Sequence, residues 1–224
     1  MRRFLFLTAI AMLSSTMLSA QSFNEYKKLA KRGDAKAQYE VGCRYYYGTD
    51  IKQNYDKALM WWHKAAEQRN LDAQYSLGLY YKTVEQDLEE AVKWYFMAAE
   101  QGSAKAQNNI GTYYYFGEGV AQSYPDAVKW FTLAAEQGYV IAQYNLGQCY
   151  YFGEGVNLDY AEALKWWLRA AEQGDPDAQY NVGVCYERGD GVESDYEEAV
   201  KWYRKAARQG HEDALRALDS LSEL

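Results

Sequence analysis

The sequence predicts an all-α fold, a solenoid of stacked helix pairs, on three observations. Glycines return in one slot, Gly42, Gly78, Gly111, Gly147 and Gly183, at spacings of 36, 33, 36 and 36 residues. A period of that length marks a stacked array rather than a single-core globule. Ala58, Ala91, Ala127, Ala163 and Ala199 keep the same period, and Trp61, Trp94, Trp130, Trp166 and Trp202 each follow three residues later. Finally, residues 139–174, YVIAQYNLGQCYYFGEGVNLDYAEALKWWLRAAEQG, are echoed by residues 175–210, DPDAQYNVGVCYERGDGVESDYEEAVKWYRKAARQG.

Each unit reads as two helices. In the first, Ala142, Leu146 and Tyr150 lie at i, i+4 and i+8 and make one apolar face. Gly147 sits on that side in mid-helix, where it costs about 1 kcal/mol against alanine. Its return in every unit implies a neighbouring helix too close for a side chain. Gly153 and Gly155 stop this helix. Asp159 caps the second helix, and Glu162 three residues on reads as the other half of a capping box, as do Asp195 with Glu198 and Asp87 with Glu90. Ala163, Trp166, Trp167, Ala170 and Ala171 then form a wide apolar stripe that Gly174 ends. Two such helices cannot bury their faces alone, so units must stack.

Taken in order, residues 1–20 read as an export signal. Arg2 and Arg3 precede an apolar run, Phe4–Met12, and Leu18-Ser19-Ala20 offers a cleavage site. The run is too short for the roughly 20 residues of a spanning helix. The expected location is therefore exported, periplasmic or secreted if the source is bacterial. Residues 21–33 match only a second helix and read as an N-terminal capping helix. Five units follow, 34–70, 71–102, 103–138, 139–174 and 175–210. Residues 211–224 read as a lone C-terminal capping helix, with Asp219 in the glycine slot and Ser222 in a tyrosine slot. Unit one has Asp50 in place of the second turn glycine. Unit two loses three residues from its turn, YYKTVEQDLEEA, which must be tight.

The pattern A-Q-Y-N-L-G-x-x-Y-x-x-G-x-G-V…D-Y-x-x-A-x-x-W-x-x-x-A-A-x-x-G resembles the SEL-one-like repeat (SLR), a relative of the tetratricopeptide repeat, over nearly all of residues 22–224. That resemblance implies a right-handed α/α superhelix acting as a binding scaffold. Some bacterial relatives carry a cysteine pair in each repeat; this chain, with three cysteines, departs from them.

Composition narrows the function further. The chain carries 24 Lys+Arg against 31 Asp+Glu, a formal net charge of −7, and loss of residues 1–20 with their two arginines moves it to −9. Such a chain has no overall attraction for nucleic acid or anionic lipid. No further apolar stretch could span a membrane. The two histidines, His63 and His211, form no metal-ligand spacing, no C-x-x-C occurs, and no serine precedes a lysine by three residues. His63 takes a slot held elsewhere by Phe96, Thr132, Leu168 and Arg204, which reads as surface. The G-x-G pairs follow a helix rather than a strand and read as punctuation, not a phosphate loop. Glu197-Glu198 and Glu89-Glu90 sit in first turns, where the helix dipole favours them. No catalysis, metal or cofactor is implied. Cys149 and Cys185 share one slot in adjacent units, about 8–10 Å apart, beyond the ~7 Å reach of a disulfide. Three free thiols are expected.

The aromatic surplus remains, 23 tyrosines in 224 residues. Tyr45, Tyr81, Tyr114, Tyr150 and Tyr186 share the apolar face. At 100° per residue, the positions three before and four after the recurring glycine point almost opposite to it. They hold Tyr39, Tyr75, Asn108, Tyr144 and Tyr180, and Tyr46, Lys82, Tyr115, Tyr151 and Glu187. In tetratricopeptide relatives the matching stripe lines a concave groove. Tyrosine there suits recognition, because it gives rigid contact area with a polar tip; coverage by neighbouring units is the competing account. The expectation is a monomeric, non-catalytic scaffold binding a protein or peptide in this groove. A cell-wall glycan or peptide is the alternative ligand, and a weak hydrolase a distant third.

Overall fold

A computed structural model describes residues 23–222. The expected export segment lies outside them, as do residues 21 and 22. All described elements are helical, and they form two compact units. The first ends at Gln101 and holds residues 23–31 (α1), Ala35–Tyr47 (α2), Tyr55–Glu67 (α3), Leu71–Tyr80 (α4), the π-helical segment Tyr81–Glu85 and Leu88–Glu100 (α5). The second begins at Gly102 and holds Ala104–Phe116 (α6), Tyr124–Glu136 (α7), Val140–Phe152 (α8), Tyr160–Glu172 (α9), Pro176–Arg188 (α10), Tyr196–Arg208 (α11) and Glu212–Ser222 (α12).

Within each pair the recurring glycine makes a notch for one aromatic ring. Trp62, Tyr95, Phe131, Trp167 and Tyr203, each next to the recurring tryptophan, lie over Gly42, Gly78, Gly111, Gly147 and Gly183. A Cβ at any of these glycines would come within 3.0 Å of its ring, so the close neighbour is a side chain of the partner helix. Between pairs, Ala142, Leu146 and Cys149 are shut from solvent and pack with Ala134, Ala135 and Trp166. Here the structure corrects the expected face. Cys149 takes the place assigned to Tyr150, which is half-buried at the edge. Cys149 and Cys185 occur as free thiols, and so does Cys43; burial pushes both Cys149 and Cys185 up to about 12.

Buried glutamines clip the pairs together. Gln143 Nε2 donates to Ala135 O near the end of α7 (3.2 Å), and its Oε1 accepts from Gln173 at the end of α9 (2.8 Å). Gln38, Gln74 and Gln179 repeat the arrangement with Ala30 and Gln68, Ala66 and Gln101, and Ala171 and Gln209. Each clip adds a second donor to a carbonyl at the helix end that already accepts from the backbone N–H three residues on.

The capping boxes are half-formed, a second correction. Asp159 Oδ1 accepts from Glu162 N (2.9 Å), as Asp87 does from Glu90 N. The cap's own N–H, however, is taken by the first helix: Asp159 N donates to Tyr150 O, Asp87 N to Tyr81 O and Asp195 N to Tyr186 O, each at 2.9 Å. Glu162, Glu90 and Glu198 are thereby released to pair with Lys165, Lys93 and Lys201 one turn on. His63 is a third correction. It is half-buried against Tyr81 Oη (3.4 Å) and the Trp94 ring (5.2 Å), and desolvation lowers its pKa.

Candidate functional site

In the second unit a pocket of about 260 Å³ opens between α6 and α8. Thr112, Tyr115 and Phe116 form one wall, Tyr144, Asn145 and Gln148 the other, and Phe131 the floor. Phe131 is held there by the Gly111 notch. The Tyr115 ring is pinned edge-on to Phe116 (4.9 Å) and Tyr124 (5.1 Å), and its hydroxyl donates to Glu154 in the turn of the next pair. Tyr144 packs against the buried cluster that α9, α10 and α11 share. Asn145 Nδ2 donates to Asn108 Oδ1 (3.0 Å), Gln148 Nε2 to Tyr144 Oη (3.2 Å), and Thr112 Oγ1 to Asn108 O (3.0 Å). Burial raises the Tyr115 and Tyr144 hydroxyl pKa values; for Tyr115 the bond to Glu154 adds to this, and for Tyr144 the charge of Asp177.

Of the ten stripe residues, the structure brings Tyr115 and Tyr144 together at this pocket. Asn108 lies beneath it, only 5% exposed, and is no open groove residue. Tyr151 packs on Trp167 (5.1 Å) and donates to Asp190 (2.9 Å), one repeat on from the Tyr115–Glu154 bond. Tyr180 stacks on His211 (4.8 Å, 19°). Glu187 accepts from Tyr203 Oη. In the first unit Tyr39 and Tyr46 pack beside Ala73 and Leu77, Tyr75 lies 5.3 Å from Tyr95, and Lys82 is exposed on the π-helical segment. The stripe's tyrosines are thus neither fully buried nor fully open: each is half-buried. The angular count missed the residue one step past it. Tyr47, Phe116 and Phe152 end their helices 70%, 62% and 58% exposed. The signal was present, an aromatic at one slot in units one, three and four.

Residues 35–70, 71–103, 104–139, 140–175 and 176–211 each match the Sel1 repeat. The chain belongs to the Sel1 repeat family, whose members generally act as non-catalytic scaffolds for protein–protein interaction. It is similar to a protective antigen of uropathogenic Escherichia coli strains that displays an SLR fold, at 40% identity and a TM-score of 0.86, over 89% of this chain and 43% of that one. This chain therefore spans less than half the length of that relative. A Sel1 repeat protein from Oxalobacter formigenes is 31% identical with a TM-score of 0.83, over 93% of this chain and 90% of that one. A Sel1-like repeat-containing protein of Acanthamoeba polyphaga mimivirus is 48% identical over 44 residues, 20% of this chain and 8% of that protein. No described helix is long and apolar enough to cross a membrane.

Proposed function

We propose that this protein is an exported scaffold that binds a protein or peptide through the α6–α8 pocket. The carrying observation is Phe116, a phenylalanine left 62% exposed on the wall of a cavity otherwise lined by Thr112, Phe131, two tyrosines and two amide side chains. Its edge contact with Tyr115 leaves most of that ring in water, whereas covering it on binding recovers about 25 cal/mol per Å² of apolar surface. The rest of the wall is rigid: Phe131 is locked in its notch and Tyr115 is held by three partners. Little ordering cost remains to be met on binding. Export rests on the charge and apolar pattern of residues 1–20.

The test is site-specific cross-linking. A benzophenone amino acid replacing Phe116 should give a covalent adduct with a partner in the cell envelope. The same probe replacing Leu133, which is 39% exposed on α7, should give none. Equal adducts from both positions, or none from Phe116, would remove the pocket from the account.

A further inference from the structure

We propose that the α6–α8 pocket takes the guanidinium group of an arginine side chain, presented by a basic segment of the partner. This rests on the pocket being the binding site and adds the chemistry of its ligand.

Four groups at the pocket each spend one polar hydrogen within the protein. Tyr115 Oη donates to Glu154, Thr112 Oγ1 to Asn108 O, Asn145 Nδ2 to Asn108 Oδ1 and Gln148 Nε2 to Tyr144 Oη. Among the described residues no donor reaches the amide oxygens of Asn145 and Gln148, two residues of the lining. Those two oxygens suit a donor-rich ligand, and guanidinium carries five N–H donors and no acceptor. Its flat face also suits the Phe116 and Tyr115 rings, which draw a cation electrostatically.

Charge points the same way. No Lys, Arg or His lines the cavity. The charged groups acting on its two tyrosine hydroxyls are carboxylates: Glu154 at Tyr115, and Asp177 with Asp175 at Tyr144. Of these, Asp175 is engaged as the α10 cap, and Asp177 lies 3.2 Å from His211 Nε2. Among the described residues Glu154 has no ion-pair partner. The chain as a whole is acidic, at −7, so a basic segment is also steered toward it. At about 260 Å³ the cavity falls below the ~300–1,000 Å³ of small-molecule sites and fits one side chain.

The test uses the full chain and four fluorescent octapeptides, alternating glycine with arginine, lysine, glutamate or leucine, followed by anisotropy at about 0.15 M salt. The arginine peptide should bind best, about tenfold tighter than the lysine peptide, the scale of a desolvated cation–π contact. Phe116→Ser and Glu154→Gln should each weaken it by about tenfold, and Leu133→Ser should not. Glu154→Gln keeps an acceptor for Tyr115 Oη while removing the charge, and thermal melts confirm that each variant folds. Lysine and arginine peptides binding equally, arginine binding indifferent to both variants, or no peptide binding would each overturn the inference. Phe116-dependent binding of the leucine peptide would overturn it too, yet leave the pocket standing as the binding site. Absence of cross-linking at position 116 would instead bring down the pocket reading itself.

Discussion

The α4–α5 and α8–α9 pairs reverse the chain with turns of different length and close them with the same bond. In α8–α9 the turn runs through Gly153 and Gly155, both left-handed at φ 71° and 76°. In α4–α5 three residues are missing; the helix widens into the π segment Tyr81–Glu85, and Gln86 alone turns left-handed at φ 57°. Both then deliver an aspartate cap whose N–H donates to a tyrosine carbonyl at 2.9 Å, Asp159 to Tyr150 and Asp87 to Tyr81. The closing bond is the constant and turn length the variable. The G-x-G turn is therefore not needed to reverse the chain. Its second glycine answers to the preceding pair: a Cβ on Gly155 would meet Pro125 N at 2.8 Å and the Tyr124 carbonyl closer still.

The notch is common to both pairs, so its loss should be the most damaging change. Gly147→Leu should cost about 3 kcal/mol by overpacking, and Gly78→Leu should also destabilise strongly, as read by denaturant midpoints. An unchanged midpoint in either would mean the ring over that glycine swings away freely. The turns should separate the pairs next. Gly155→Ala meets both left-handed strain and fixed backbone, and should cost about 2 kcal/mol. Gln86→Gly should cost nothing or stabilise by up to about 1 kcal/mol, because it relieves that strain. Equal effects would erase the distinction between the turns.

Tyr151→Phe removes the hydroxyl bond to Asp190 and should cost about 1 kcal/mol. Desolvation, and then the Asp190 bond, raise the Tyr151 pKa above its ordinary 10.0. The native hydroxyl thus stays protonated where the unfolded one ionises, and this contribution fades as pH climbs past 10.0. Wild type should lose stability above that pH more steeply than Tyr151→Phe; parallel curves would mean the hydroxyl is open to water. The caps should show the smallest effect and no difference between pairs. Asp87→Ala and Asp159→Ala should each cost about 1 kcal/mol, and a gap much larger than that would mean the π segment weakens its cap.

The helix pairs, the notch glycines and the aspartate caps were legible because each depends on residue type at fixed spacing. What escaped depends on which of two partners wins. Glu162 has the sequence of a capping box, but the Asp159 N–H is already taken by Tyr150 O, a bond no local pattern announces. Gln143 is a polar side chain only 4% exposed, and no local pattern marks it, because its partners lie eight residues before and 30 after. Cys149 and Tyr150 lie about 100° apart on either side of the centre of the apolar face, and an averaged step cannot say which turns inward. The stripe was read as open or covered, whereas Tyr115 and Tyr144 are half of each. Phe116 fell one residue outside it.

The central claim is that the exposed wall of the α6–α8 pocket serves binding and not folding. Phe116→Ser tests it most directly, with thermal melting and partner binding measured on one preparation. The melting temperature should stay within about 2 °C of wild type, as for a surface change, while binding weakens by about 2 kcal/mol, the scale of an interface hot spot. A large fall in melting temperature, or binding that does not change, would contradict the account.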